Sequence, residues 1–353
     1  MNTDFLERLL DAVGPSGFEV APARVWRAEA GTFASVETDI HGNSVAMLNP
    51  DGGPRVMMAG HIDEIGIQIT HIDKEGFLFV SGIGGWDPQV LVGQRVTILS
   101  KKGVVPGVVG QKAIHLIKTE DRTKAAEMEG LWVDVGVSSR DEASELGLRV
   151  GDPMVIDANV VKLAGDRIAS RAIDNRIGAF VVLEALRLLA DEDIAACPMA
   201  VATVQEEIGL SSGGGARSSA FALKPDVALV VDVTFSTDVP DIEKKEHGDH
   251  ELGGGPVLSR GSAIHGGVFE RLAEVAEAEN IAYTLQAAPK YTSTDADAIF
   301  LTRTGVPTGL VSVPNRYMHS PNEVVSLADL QSTAKLLAGF VRSLTADTDF
   351  TPR

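Results

Sequence analysis

Two adjacent carboxylates end an apolar, strand-like run in the second half of the chain. Residues 201–205 are followed by Glu206 and Glu207, and then by a segment rich in serine and glycine at residues 211–215. Ligand sites of α/β sheets lie at the carboxyl ends of strands, so this position favours chemistry over a solvated glutamate pair. One carboxylate could bind a metal ion while the other moves a proton. The residue types support the pairing and leave the division of roles open.

Four further side chains of metal-binding type each lie just past an apolar run. They are His61, Asp174, Asp232 and His319. Each has an ordinary structural explanation when it is taken singly, such as a buried histidine or a helix cap. Several carboxylates buried in one region without a cation would be very costly, however. Two histidines and three carboxylates without a thiolate match two divalent ions, such as zinc, cobalt or manganese, that share one carboxylate.

Asp63 stands two residues after His61. A carboxylate that accepts the second imidazole N–H of a ligand histidine fixes the tautomer and raises the basicity of the ring. We expect this role for Asp63 rather than that of a solvated turn residue. His247 and His250 also have a metal-binding spacing, but they lie in a charged, glycine-rich segment where a metal site is not expected.

Composition and charge disfavour several classes of function. The 31 basic and 49 acidic residues give a formal charge of −18, which disfavours nucleic-acid binding. Cys197 is the only cysteine, so an internal disulfide is excluded and a reducing compartment is compatible. The first residues are acidic and lack an apolar stretch, so we expect no secretory signal, and no apolar run approaches membrane-spanning length. We expect a cytoplasmic protein that binds neither nucleic acid nor membranes.

The pattern along the chain predicts an α/β fold with an inserted β-rich domain. In residues 1–67 and 163–353 strands alternate with helices, which favours a mixed sheet covered by helices on both faces. Residues 68–162 contain short strand-like runs separated by glycine, a pattern typical of a small barrel or sandwich. Ser326 is expected to cap a final helix through its hydroxyl group.

The ordered set of these motifs resembles the M42 family of metalloaminopeptidases, the tetrahedral aminopeptidases of glutamyl, leucyl and lysyl type. The resemblance covers nearly the whole chain and implies a zinc-peptidase-like α/β domain. It is carried by Pro-Ser-Gly-Phe-Glu at 15–19, Gly-His-Ile-Asp-Glu-Ile-Gly at 60–66, Ser-Arg-Ala-Ile-Asp-Asn-Arg at 170–176, Gln-Glu-Glu-Ile-Gly at 205–209, Asp232, Ser-Thr-Asp-Ala at 293–296 and Arg-Tyr-Met-His-Ser-Pro at 316–321.

The resemblance implies ligands for two divalent ions, with zinc or cobalt favoured and manganese as a third choice. One ion would be bound by His61 and Asp232, the other by Glu207 and His319, and Asp174 would bridge them.

The resemblance also implies the reaction and the assembly. Glu206 would act as the general base and Asp63 as the partner of the His61 imidazole. The reaction would be the hydrolysis of N-terminal residues from short peptides with a free amino terminus, through a water molecule between the two ions. The inserted domain at 68–162 would contribute to dimers, and these would assemble into a dodecamer.

Some expectations stay open. The segment Tyr-Thr-Ser-Thr-Asp at 291–295 lacks the glycines that many family members carry there, so its substrate contacts are undetermined. A metal-dependent amidase or deacylase acting on N-acyl amino acids is one alternative, and a non-catalytic assembly protein of the same fold is another. Comparing unblocked with N-acetylated peptides separates the first two functions.

Overall fold

The computed structural model describes residues 1–209 and 213–352. Ser211 and Ser212 of the predicted serine- and glycine-rich segment lie outside the described residues. In the described parts of the chain the helices are α1 (Thr3–Asp11), α2 (Val20–Ala30), α3 (Arg140–Glu145), α4 (Ile173–Leu188), α5 (Glu206–Gly209), α6 (Gly214–Leu223), α7 (Lys244–His247), α8 (Gly266–Ala278), α9 (Asp295–Ile299) and α10 (Leu327–Arg342). None of these helices is long and apolar enough to cross a bilayer.

The strands form one large sheet, one small sheet and one barrel. They are β1 (Ser35–Thr38), β2 (Ser44–Met47), β3 (Arg55–His61), β4 (Gly66–Ile72), β5 (Leu78–Ile83), β6 (Arg95–Ser100), β7 (Gly103–Gly110), β8 (Trp132–Asp134), β9 (Pro153–Ile156), β10 (Val161–Lys162), β11 (Arg167–Ser170), β12 (Cys197–Thr203), β13 (Val227–Phe235), β14 (Val257–Gly261), β15 (Thr284–Ala288), β16 (Thr308–Asn315) and β17 (Glu323–Ser326).

The large sheet is mixed, as predicted. Its eight strands run in the order β1-β2-β12-β3-β13-β16-β14-β15. The four central strands, β12, β3, β13 and β16, are parallel to one another, whereas β2 and β14 join them antiparallel. Every residue of β12 is buried, which is typical of a parallel strand covered on both faces. The carboxyl ends of the central strands therefore meet at one edge of the sheet.

Two groups of helices cover this sheet. Helix α4 is buried along most of its length, so it carries apolar residues around nearly its whole circumference. It packs on β3, β12 and β13 and also against α1 and α10. Helices α6 and α9 pack against each other, α6 also on β12 and β3 and α9 also on β13 and β16. The predicted mixed sheet with helical layers is confirmed.

Strands β4 to β9 close into a six-stranded barrel in the order β4-β5-β8-β7-β6-β9. The barrel has a hydrophobic core of its own, separate from that of the large sheet, and Ile67, Leu78 and Ile98 are among its buried residues. The predicted small β-barrel is therefore present. The division of the chain at 67/68 and 162/163 stays a prediction.

The expected cap of the last helix is wrong in its chemistry. Ser326 does occupy the cap position of α10, but its hydroxyl makes no hydrogen bond to the first turn. Instead the hydroxyl donates to Asp166 Oδ2 at 2.6 Å, and the same oxygen accepts the N–H of Ala328 at 3.0 Å. A carboxylate distant in sequence thus replaces the local serine cap.

Candidate metal centre

The parallel strands bring three candidate residues to one edge of the sheet. His61 is the last residue of β3 and pairs in register with Thr203, the last residue of β12. Glu206 opens α5 three residues later along the chain. Asp232 lies on β13, the other neighbour of β3. Contrary to the expectation from the sequence, β13 does not end at Asp232 but continues to Phe235, because its pairing with β16 extends that far.

Two further candidate ligands come from outside the large sheet, and Glu207 directly follows Glu206 in α5. Asp174 lies at the start of α4, where the backbone angles of Asp174 and Asn175 are not helical. His319 lies in the loop after β16 and has a positive φ of 59°. Because α4 packs on β3, β12 and β13, its first residues reach the same sheet edge as His61.

Asp174 lies between the two histidines. Its Oδ1 atom is 3.2 Å from His61 Nε2, and its Oδ2 atom is 3.3 Å from His319 Nε2. Each oxygen of one carboxylate thus faces a different imidazole, an arrangement suited to a carboxylate shared by two cations.

The remaining acids divide between the two histidines. His61 Nε2 is 3.8 Å from Glu206 Oε2 and 4.0 Å from Asp232 Oδ1. His319 Nε2 is 3.5 Å from Glu207 Oε1. Ligand atoms of His61, Asp174 and Glu207 all lie within 4.8 Å of one another, a spacing that can hold a metal ion. All seven site residues predicted from the sequence therefore lie in one cluster or, for Asp63, beside it.

In both histidines the Nδ1 atom faces an oxygen atom outside the cluster, and the Nε2 atom faces the cluster. His319 Nδ1 is 2.8 Å from the carbonyl oxygen of Gly85, in the segment after β5, so Nδ1 can donate its proton there. His61 Nδ1 is 3.3 Å from Asp63 Oδ1. In both rings an oxygen opposite Nδ1 favours the tautomer whose Nε2 lone pair points into the cluster.

The pKa values of several side chains in the cluster are strongly shifted. Burial, reinforced by the charges of Asp232, Asp295 and Glu207, raises the pKa of Glu206 to about 10. Burial likewise raises the pKa of Asp232 well above its usual range. Although burial lowers it, hydrogen bonds to Asp174 and Glu207 raise the pKa of His319 to about 11. So many acids and histidines in one buried space require protons or metal cations, and their donor atoms suit divalent ions.

Asp63 does more than face His61. This fully buried carboxylate accepts the backbone N–H of Glu206 on Oδ1 and that of Glu207 on Oδ2, each at 3.2 Å. Glu19 Oε1 accepts the N–H of Gln205, the preceding residue, at 3.1 Å. Two buried carboxylates therefore accept hydrogen bonds from three successive backbone N–H groups. These hydrogen bonds fix the position of the backbone from which the side chains of Glu206 and Glu207 extend.

Glu323 is a site residue that sequence reasoning missed. Its Oε2 atom accepts the N–H of Asp174 at 2.9 Å, and its Oε1 atom accepts the N–H of His319 at 2.8 Å. The side chain is almost fully buried, at 2% exposure. One carboxylate thus joins the two segments that carry candidate ligands. The only available signal was its place four residues after His319.

The segment at 291–295 and the two histidines at 247 and 250, whose roles the sequence left open, lie in different surroundings. Asp295 is buried near the cluster, where its carboxylate accepts a hydrogen bond from Thr203, and burial raises its pKa to about 6. His250 is buried, and its Nδ1 atom is 2.7 Å from Thr284 Oγ1. His247 is exposed and its ring lies edge-on to Phe235. The two histidines thus have different surroundings and lie apart from the residues that meet around Asp174.

The chain matches one family model over most of its length. Residues 42–336 match the family model described as M42 glutamyl aminopeptidase. The chain is 36% identical to a lysyl aminopeptidase of Pyrococcus furiosus over 352 residues, which covers 99% of each chain. Its structure is similar to that of a TET aminopeptidase from the marine sediment archaeon Thaumarchaeota archaeon SCGC AB-539-E09, with a TM-score of 0.91, 34% identity and coverage of 97% of this chain and 96% of the other.

A second solved structure is similar over the same extent. The TET1 peptidase of Pyrococcus horikoshii, which can assemble into a tetrahedron or a large octahedral shell, has 28% identity and a TM-score of 0.84. The similarity covers 97% of this chain and 99% of that one. The likeness therefore extends over the large sheet and the barrel together.

Proposed function

This chain belongs to the M42 family of metal-dependent aminopeptidases, and we propose that its catalytic centre holds two divalent ions on His61, Asp174, Glu207, Asp232 and His319. As an aminopeptidase it hydrolyses peptide bonds at the amino terminus of its substrates. The observation that carries the proposed centre is the position of Asp174, whose two oxygens face the Nε2 atoms of different histidines at 3.2 and 3.3 Å.

The donor set supports zinc or cobalt as the ions, with manganese as a third choice. Imidazole nitrogens and carboxylate oxygens, without a thiolate, suit divalent ions of borderline hardness. His61 and Asp232 would hold one ion, and Glu207 and His319 the other, with Asp174 shared. Bound there, the ions would polarise the scissile carbonyl group and lower the pKa of the attacking water.

Glu206 is the proposed proton carrier. Its carboxylate reaches the same space as His61 and Asp174, yet it is not needed to complete either proposed ligand set. It would take a proton from the attacking water and donate it to the leaving amine. Asp63 would act by positioning, since it holds the backbone N–H of Glu206 and faces His61 Nδ1.

Exchanging each glutamate of the pair for glutamine tests these roles. We expect Glu206→Gln to keep its metal content and to lower kcat by about 10²–10⁴-fold, the range of general acid–base catalysis. Glu207→Gln is the matched variant, and it should lose bound metal. Metal content by elemental analysis and turnover of an aminoacyl-anilide are measured together. Retained turnover in a folded Glu206→Gln protein would refute the role of Glu206.

Neither the amidase or deacylase alternative nor the non-catalytic alternative gains support from the comparisons. Unblocked short peptides are therefore the proposed substrates. Unblocked and N-acetylated forms of one peptide test this point, because a deacylase would cleave the acetylated form.

The proposal includes a dodecameric assembly of dimers in the cytoplasm. The dodecamer of a related TET1 peptidase supports the assembly, as do the exposed side chains of Val104 and Val108 on the barrel strand β7. A subunit has a mass of 37.3 kDa, so light scattering separates a dimer from a particle of twelve subunits. Cell fractionation tests the location.

A further inference from the structure

A cleft of about 380 Å³ opens beside the candidate metal centre. Its ionisable lining residues all belong to that centre, and they are His61, Asp174, Glu206, Glu207, Asp232 and His319. Among the described residues that line the rest of the cleft, none carries a charged side chain. The far walls are formed by Thr234, Phe235, Gln286, Leu310, Met318 and the hydroxyl-bearing residues 292–294.

The polar groups on the far wall largely satisfy each other. Gln286 Nε2 donates to Thr234 Oγ1 at 2.9 Å, and the Thr234 hydroxyl lies 3.2 Å from Gln286 Oε1. Thr234 is on β13 and Gln286 on β15, so this contact spans the cleft wall from strand to strand. Because this amide and this hydroxyl are paired with each other, the apolar surface that remains for a ligand comes chiefly from Phe235, which is 50% exposed, and from Met318.

The cleft is the space that the first side chain of a substrate must enter. An aminopeptidase holds the carbonyl group of the first residue against its catalytic centre, here beside Glu206. The side chain of that residue must then lie in the volume continuous with the centre. The walls of β13, β15 and β16 enclose that volume.

We propose that this cleft selects peptides whose first residue has an uncharged, apolar side chain of the size of leucine or methionine. This inference rests on the proposed function of the centre. A lysine ammonium group at the far wall would find no carboxylate there, and a glutamate would find no cation. A charge taken out of water without a partner is strongly disfavoured, whereas an apolar side chain gains by covering Phe235 and Met318.

A panel of four aminoacyl-anilides tests the selection on the metal-loaded, full-length protein. We expect kcat/KM for leucine and methionine to exceed that for lysine and glutamate by at least about tenfold, the scale of discrimination by a hydrophobic pocket. Equal or faster hydrolysis of the lysine or glutamate substrate would overturn this inference and leave the aminopeptidase function standing. No turnover of any of the four would overturn the proposed function and this inference with it.

A charge placed on the far wall provides a second test. Gln286→Glu should raise the ratio of lysine to leucine kcat/KM by about tenfold or more, since a new carboxylate would then face the ammonium group. Ala287→Glu is the matched control, because it adds the same charge to the next, exposed residue, on the opposite face of β15. The control should leave the ratio unchanged. An unchanged ratio in a folded, active Gln286→Glu protein would overturn the assignment of this wall to the first side chain.

Discussion

Glu323 offers the sharpest test of how the metal centre is held together. The substitution Glu323→Gln keeps the size of the side chain but replaces one carboxylate oxygen by an NH₂ group. In the native protein both oxygens accept backbone N–H groups, one from Asp174 and one from His319. Glutamine can serve only one of them, so the other N–H would face a second donor. We expect the centre to bind metal more weakly, because Asp174 and His319 are no longer held at the right distance.

The magnitude follows from the hydrogen bond that is lost. A buried hydrogen bond to a charged group contributes about 1.5–3 kcal/mol. At about 1.4 kcal/mol for each factor of ten, full expression of this loss in metal binding lowers the affinity about 10–100-fold. His319 adds to the effect because its positive φ of 59° is intrinsically unfavourable for a residue with a side chain. Any part of the loss that also affects the metal-free protein will appear as lower folding stability instead.

The assay is therefore a pair of measurements on each variant. Chelator competition gives the metal affinity, and urea unfolding of the metal-free protein gives the stability. Asp329→Asn is the matched control, because Asp329 is also a buried carboxylate that accepts two backbone N–H groups, those of Gly253 and Gly255, at 2.7 and 2.8 Å. The control should lose stability and keep its metal affinity.

Two results would refute this reasoning. In the first, Glu323→Gln behaves like Asp329→Asn, with lower stability and unchanged metal affinity, which would make Glu323 a purely structural residue. In the second, neither quantity changes, which would show that the two hydrogen bonds contribute nothing measurable. Recovery of turnover at high metal concentration would support the positioning role, because Glu323 itself touches no substrate in this scheme.

Two further predictions concern other buried carboxylates. Asp63→Asn should lower both the metal affinity and kcat by about 10–100-fold, because Asp63 orients the proposed ligand His61 and accepts the backbone N–H of Glu206. A titration of activity with metal measures both quantities, and unchanged values would contradict the prediction. Glu64→Gln should destabilise the fold by about 3–5 kcal/mol, because Glu64 is the buried partner of both Arg171 and Arg176. Urea unfolding measures this change. A decrease of less than about 1 kcal/mol in the free energy of unfolding would show that Arg171 and Arg176 do not depend on the Glu64 charge.

The sequence was sufficient to predict which residues could bind metal and at which edge of the sheet they would meet. Histidine and carboxylate side chains are recognisable by type, and apolar runs show where buried strands reach the edge of a sheet. His61 and Glu206 follow that rule at or shortly after the ends of β3 and β12. Asp232 obeys it only in part, since an acid can lie inside a buried strand when it faces a site and the neighbouring strand continues the pairing to Phe235.

The residues that hold the ligands in place were much harder to predict. Glu323 and Glu19 act on backbone N–H groups, which every residue except proline has, so their partners leave no mark in the sequence. The partner of Glu323 at Asp174 is 149 positions away. Ser326 shows the converse error, because a local pattern predicted a helix cap while a distant carboxylate, Asp166, took its hydroxyl.

Glu19 and Glu323 share one structural feature, since each accepts the backbone N–H of a residue with a positive φ angle. Gln205 and His319 both have positive φ angles, of 60° and 59°, and each precedes or carries a proposed functional side chain. Each also donates its N–H to a buried carboxylate, Glu19 in one case and Glu323 in the other. Backbone in this region costs about 1–2 kcal/mol for a residue with a side chain, so it persists only where the surroundings offset the cost.

The same structural feature explains how two neighbouring glutamates can take different roles. After the left-handed residue Gln205, the chain turns directly into α5, and Asp63 holds the first two amides of that turn. Successive side chains on a helical turn diverge by about 100° because there are 3.6 residues in each turn. Glu207 therefore extends towards His319, and Glu206 towards His61. The backbone, held by carboxylates from elsewhere in the fold, separates a proposed metal ligand from a proposed base, which the residue types alone could not do.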